Sequence, residues 1–126
     1  MCGIAGFAGS NNFSLSKKTL ISNLDKIRHR GPDSKGIFLD PENSVGIGMR
    51  RLSILDIEGG AQPIGNERQD VQVVLNGEIY NYIELRQELV DKGHLFKTET
   101  DTEVLVHLYE EYGLSMLNKL RGMFCF

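Results

Sequence analysis

Residues 71–75 read Val-Gln-Val-Val-Leu, a nearly continuous apolar run of the kind found in strands buried on both faces. A strand of that kind lies inside a folded core. The run enters Asn76-Gly77 and then a segment with helical spacing. Asn81, with Glu84 three residues on, has the form of a capping box. Ile83, Leu85, Leu89 and Val90 supply one apolar side of a helix reaching residue 92, and Gly93 stops it. Thr100 with Glu103 repeats the pattern. Val104, Leu105, Leu108, Tyr109 and Tyr112 form the next helical stripe, which Gly113 ends. Residues 114–120 read as a short helix and 123–126 as the start of another strand.

The first half of the chain follows the same economy. Residues 2–8, with Ile4 and Phe7 among small residues, form a strand, and glycines at 3 and 6 allow a close approach to its backbone. Leu20, Ile21, Leu24 and Ile27 share one face of a helix over about 16–28, capped by Ser14 or Ser16 and stopped before Gly31-Pro32. Strands are expected at 36–39 and 45–52, joined by a hairpin turn over 40–44, with a loop containing Gly59-Gly60 and Pro63 next. No repeat or linker divides the 126 residues, which fits one compact domain.

Composition excludes several functions. The net charge of -3 and the lack of a basic run argue against nucleic acid or an anionic membrane as partner. The apolar runs are too short to span a bilayer, and no basic residue precedes residues 2–9 as in a secretory signal. A cytoplasmic location is expected. Cys2 and Cys125 lie at opposite ends and could pair, but a reducing compartment is favoured. His29, His94 and His107 have no partner at metal-ligand spacing, so no metal is expected. Gly46-Ile-Gly48 lacks the rest of a dinucleotide fingerprint, and no Walker-type loop occurs, so no cofactor is expected in these residues.

Cys2 follows the initiator methionine, and removal of Met1 would put a thiol and a free α-amine on one residue. The amine, with an ordinary pKa of about 7.7–8.0, can serve as base for its own side chain. Cys2 also suits a small buried position at a strand start. Asn76 and Gly77 offer a side-chain amide and a backbone N–H to a developing oxyanion. The same dipeptide is a strong type I′ turn signal. Arg51 can fork onto a carboxylate and Asp101 can receive an ammonium. Each also reads as an ordinary surface charge or a dipole-favoured helix start. The segment Arg28-His-Arg-Gly-Pro-Asp33 reads as a rigid turn whose charges support neighbouring loops.

Seven fragments stand in order: Met1-Cys-Gly-Ile-Ala-Gly6, Arg28-His-Arg-Gly-Pro-Asp33, Arg51-Leu-Ser-Ile54, Gly60-Ala-Gln-Pro63, Asn76-Gly-Glu-Ile-Tyr-Asn81, Thr100-Asp-Thr-Glu103 and Gly122-Met-Phe124. Together they resemble the glutaminase domain of class II glutamine amidotransferases, specifically of glutamine-hydrolysing asparagine synthetases. The resemblance implies an α+β N-terminal-nucleophile hydrolase fold, a four-layer αββα sandwich of antiparallel sheets. It implies Cys2 as nucleophile, Asn76 and Gly77 as the oxyanion hole, and Arg51, Glu78 and Asp101 as the glutamine contacts. Arg50 competes with Arg51, but Arg51 begins the matching run. Relatives often carry serine where this chain has Thr100.

The implied reaction turns glutamine into glutamate and ammonia. In the family the ammonia serves a second domain that uses ATP and Mg²⁺ to convert aspartate to asparagine. Residues 1–126 would then be a glutaminase domain cut before its last strands, with the synthetase domain absent. Exposed apolar surface and poor stability in isolation are expected, relieved by a partner or by self-association, and a homodimer is compatible with this. Other readings are a class II amidotransferase feeding a sugar or sugar-nucleotide pathway, and a non-catalytic domain that keeps the fold.

Overall fold

A computed structural model of the chain describes residues 2–9, 11–52 and 60–126. Met1 and its removal, Ser53 and Ile54 of the Arg-Leu-Ser-Ile run, and Gly59 of the glycine pair lie outside the described residues.

The strands β1 (Gly3–Phe7), β2 (Ser34–Asp40) and β3 (Val45–Arg51) form an antiparallel sheet in the order β1-β3-β2, with helix α1 (Phe13–Lys26) packed on it. The β2–β3 hairpin turns where anticipated, and Asp40 secures it by accepting from the backbone and side chain of Asn43 at 3.1 and 2.7 Å. Alternation along β3 sorts its side chains. Gly48 and Arg50 face α1: a Cβ on Gly48 would stand 2.7 Å from Leu24 Cδ1, and Arg50 Nε donates to Leu24 O at 2.9 Å. Met49 and Arg51 take the other face, and both are buried.

Helix α1 starts earlier than its spacing suggested. Asn12, rather than Ser14 or Ser16, is the cap, its side-chain oxygen accepting from Leu15 N–H at 3.0 Å. Phe13 then meets Phe7 edge to face with centroids 5.8 Å apart, which fixes the entry of the chain into the helix.

The central run is shorter as a strand than its composition suggested. Among the described residues strand β4 (Ile64–Gly65) pairs with β5 (Gln72–Val73), and β6 (Asn76–Ile79) pairs with β7 (Gly122–Cys125). Val74 and Leu75 between them are buried without a ladder. Core burial, not strand length, made the run continuous; Leu75 N–H goes to Gln62 Oε1 at 2.7 Å. Asn76-Gly77 is therefore strand and not a turn. Gly77 has φ +148°, and a Cβ there would lie 2.0 Å from Met123 O of β7. The close approach that requires glycine is by the neighbouring strand.

Helices α2 (Tyr82–Asp91) and α3 (Glu103–Tyr112), followed by a 3₁₀ turn at Gly113–Asn118, close the second half. Leu75, Ile79, Leu85, Leu89, Val104, Leu105 and Leu108 form its core. Gly93, at φ +99°, ends α2 with His94 N–H bonded to Leu89 O and Gly93 N–H to Val90 O, a Schellman motif. Neither expected capping box forms. Asn81 binds Lys119 O and Arg121 N–H instead, both at 2.9 Å, and so ties the start of α2 to the approach of β7. Glu103, nearly fully buried, turns back to accept from Lys97 N–H, Thr98 N–H and the Thr98 hydroxyl at 2.7–2.8 Å. Burial raises its pKa, but His107 and these donors outweigh it and hold the carboxyl at about 2. The described residues thus form a mixed α and β fold in which every ladder is antiparallel.

Candidate active site

Cys2, Arg51, Asn76, Gly77, Glu78 and Asp101 line one cleft of about 470 Å³. That size suits a small molecule, for which sites run ~300–1,000 Å³. The residues arrive from four places: the start of β1, the end of β3, β6, and the loop before α3.

Cys2 is half-buried beside the end of β3. Leu52 N–H points at its sulfur at 3.4 Å, and the thiol faces Leu52 O at 3.7 Å. Arg30 Nη2 reaches Cys2 O at 3.5 Å, so the Arg28–Arg30 turn supports the backbone of Cys2. Gly31 lets that turn lie against β3, since a Cβ there would be 2.3 Å from Arg50 C.

Arg50 and Arg51 part company by strand alternation. Arg50 is bound to Leu24 O and pairs with Asp25 on α1. Arg51 lines the cleft on the opposite face. Asn76 is half-buried, and among the described residues its buried Oδ1 has no hydrogen-bond partner. A buried carbonyl oxygen without a donor is costly, and a donor entering the cleft would satisfy it. Asp101 is buried, with Oδ2 accepting from Ile79 N–H at 2.8 Å. Burial pushes its carboxyl above the usual range; Ile79 N–H opposes this, and the nearby charge of Glu78 adds to it. A buried, electrically uncomfortable carboxylate at a cleft is suited to meet a cation.

The cleft holds residues to which the sequence assigned no role. Gln62 accepts from Leu75 N–H and donates to Thr102 Oγ1 at 3.1 Å, bridging the loop at 60–63, the approach to β6 and the start of α3. Thr100 and Thr102 are buried beside it, and Cys125 of β7 lines the cleft as a second thiol. Gln62 and the two threonines belong to fragments noted in the sequence, whose roles only the packing discloses.

A thiol, a side-chain amide, an arginine and a buried acid thus share one cleft. The chain belongs to the glutamine amidotransferase domain family, whose model matches residues 1–126. Three relatives align with all of it and bear the name glutamine-hydrolysing asparagine synthetase. That of Bacillus subtilis (strain 168), number 1, is 47% identical, with 20% of its own length covered. Those of Arabidopsis thaliana, number 1, and Oryza sativa subsp. japonica, number 2, are 42% and 45% identical, each with 21% covered. The chain thus spans about a fifth of the length of these relatives. No helix among the described residues is long and apolar enough to cross a membrane.

Proposed function

We propose that this chain is the glutaminase part of an asparagine synthetase, and that it hydrolyses glutamine to glutamate and ammonia. The single observation that carries this is the meeting of Cys2, Asn76-Gly77, Arg51 and Asp101 in one cleft. Met1 is removed, and Cys2 presents its thiol and α-amine together. Arg51 takes the glutamine α-carboxylate by a two-pronged hydrogen bond. Asp101, with Glu78 beside it, takes the α-ammonium.

The amine accepts the thiol proton as sulfur attacks the side-chain amide carbon. The carbonyl oxygen becomes an oxyanion, held by the Asn76 side-chain amide and Gly77 N–H. The C–N bond then breaks, and the Cys2 ammonium returns its proton to the departing nitrogen, which leaves as ammonia. Water attacks the thioester, releasing glutamate and restoring the thiol. In the full-length protein a further domain, with ATP and Mg²⁺, joins the ammonia to aspartate; the names and lengths of the relatives support that extension. The antiparallel ladders support an N-terminal-nucleophile hydrolase sandwich as the complete fold, and we place the protein in the cytoplasm.

Intact-mass analysis paired with an ammonia-release assay tests this reading. Chains that begin at Cys2 should release ammonia from glutamine, and chains that keep Met1 should not. Equal rates from both would refute the amine's part in the reaction.

A further inference from the structure

Glu67, His94, His107 and Glu110 come together from the β4–β5 connection, the residue after Gly93, and α3. None of them lines the Cys2 cleft. One ligand atom from each lies within 4.8 Å of all the others. Nδ1 of His107 is 3.3 Å from Glu110 Oε2 and 3.6 Å from Glu67 Oε2. Nδ1 of His94 is 3.6 Å from the same Glu110 oxygen and 3.9 Å from Glu67 Oε1. His107 is fully buried.

The outer side of this cluster is built. Glu110 Oε1 accepts from Asn66 Nδ2 at 2.8 Å and Arg68 Nη2 at 3.2 Å, which leaves Oε2 to face the histidines. Asn66 is itself buried, its Oδ1 accepting from Asp70 and Val71 N–H at 3.1 and 3.2 Å. Glu67 Oε1 accepts from Leu95 N–H at 2.9 Å. His94 Nε2 lies 3.0 Å from Glu111 Oε1. With the Nε2 proton donated to Glu111, His94 turns the lone pair of Nδ1 inward. His107 Nε2 faces Glu103 Oε1 at 3.8 Å.

Nδ1 of both rings faces the carboxylates of Glu67 and Glu110, whose two negative charges call for positive charge among them. A protonated His107 directed at Glu110 supplies one of those charges, protonating both rings would set two cations with centroids 4.8 Å apart, and one divalent cation supplies both charges. We propose that these four side chains bind one divalent transition-metal ion, zinc by preference. Two imidazole nitrogens and two carboxylate oxygens suit zinc better than magnesium or calcium, which take mostly oxygen. Zinc bonds of ~2.0–2.2 Å in a tetrahedron place ligand atoms roughly 3.3–3.5 Å apart. The His–Glu pairs stand at 3.3–3.9 Å and the whole set within 4.8 Å, so binding draws the four side chains inward. Four protein ligands leave no open position, so the ion is structural. It pins the β4–β5 connection and the α2–α3 loop to α3, the helix that begins just after Asp101. Glu111 orients the His94 ring from outside.

The full chain, freed of metal with a chelator and titrated with zinc chloride alone, should bind about one equivalent and unfold at a higher temperature. Cobalt(II) should give the visible bands of tetrahedral coordination without thiolate charge-transfer absorption. His94 sits on a loop and is partly exposed, so H94Q should fold, as circular dichroism would show. It should weaken zinc binding at least ~100-fold, and E111Q about tenfold. No uptake at micromolar zinc would overturn the proposal. Uptake unchanged in both H94Q and E67Q, or a thiolate signature with cobalt, would overturn it too by placing the metal elsewhere.

Discussion

Arg50 is fastened to Leu24 O and Asp25, whereas Arg51, one residue on, lines the cleft with Cys2. Lysine at 51 keeps the charge but loses the planar fork, so R51K should raise the glutamine KM by about 10- to 100-fold in steady-state assays. R50K should leave KM within about twofold and lower the melting temperature. The sequence named both arginines; alternation along β3 separates them once its register is known. Asp101 makes a second residue-scale case. Burial and Glu78 raise its pKa, so the folded state holds that proton more tightly than the unfolded chain. The stability of the unliganded chain therefore falls as pH climbs from the ordinary carboxylate value through the raised one. D101N, which still accepts from Ile79 N–H, should melt a few degrees higher than wild type at neutral pH and no higher in acid. It should also raise the glutamine KM at least tenfold, about 1.4 kcal/mol. In wild type, KM should rise as pH falls through the raised pKa, because a neutral Asp101 no longer attracts the ammonium.

At the scale of elements, periodicity and glycine stops marked both C-terminal helices, and Gly93 and Gly113 end them where expected. Their caps were misread because the side chains that can cap a helix can equally bind elsewhere. Glu103 serves the loop before its helix, and its removal leaves Lys97 and Thr98 N–H unpaired. E103A should cost roughly 3 kcal/mol in urea unfolding. Asn81 holds Lys119 and Arg121, not the first turn of α2. N81A should cost about 1–2 kcal/mol. Its hydrogen-exchange signature should be loss of protection at Tyr80 N–H, which bonds to Arg121 O, with α2 unchanged. The strand at 71–75 was overextended because apolar continuity reports burial, and burial continues at Val74 and Leu75 after the ladder ends.

Across the whole molecule, the site is assembled from segments some hundred residues apart in the chain, joined by an antiparallel framework. The order of seven short fragments made that assembly legible, since all but Arg28–Asp33 bring a residue to the cleft. What stayed hidden were contacts that depend on three-dimensional return: Gln62 bridging Leu75 to Thr102, and His94 meeting His107 across a loop. Cys125 also reaches the cleft, so the chain presents two thiols there and the identity of the nucleophile can be put to a direct choice. A diazo-ketone analogue of glutamine, reacted with chains whose N-terminus is Cys2 and mapped by peptide mass spectrometry, makes that choice. The account predicts a single adduct on Cys2 that excess glutamine prevents. An adduct on Cys125, or none at all, would contradict it.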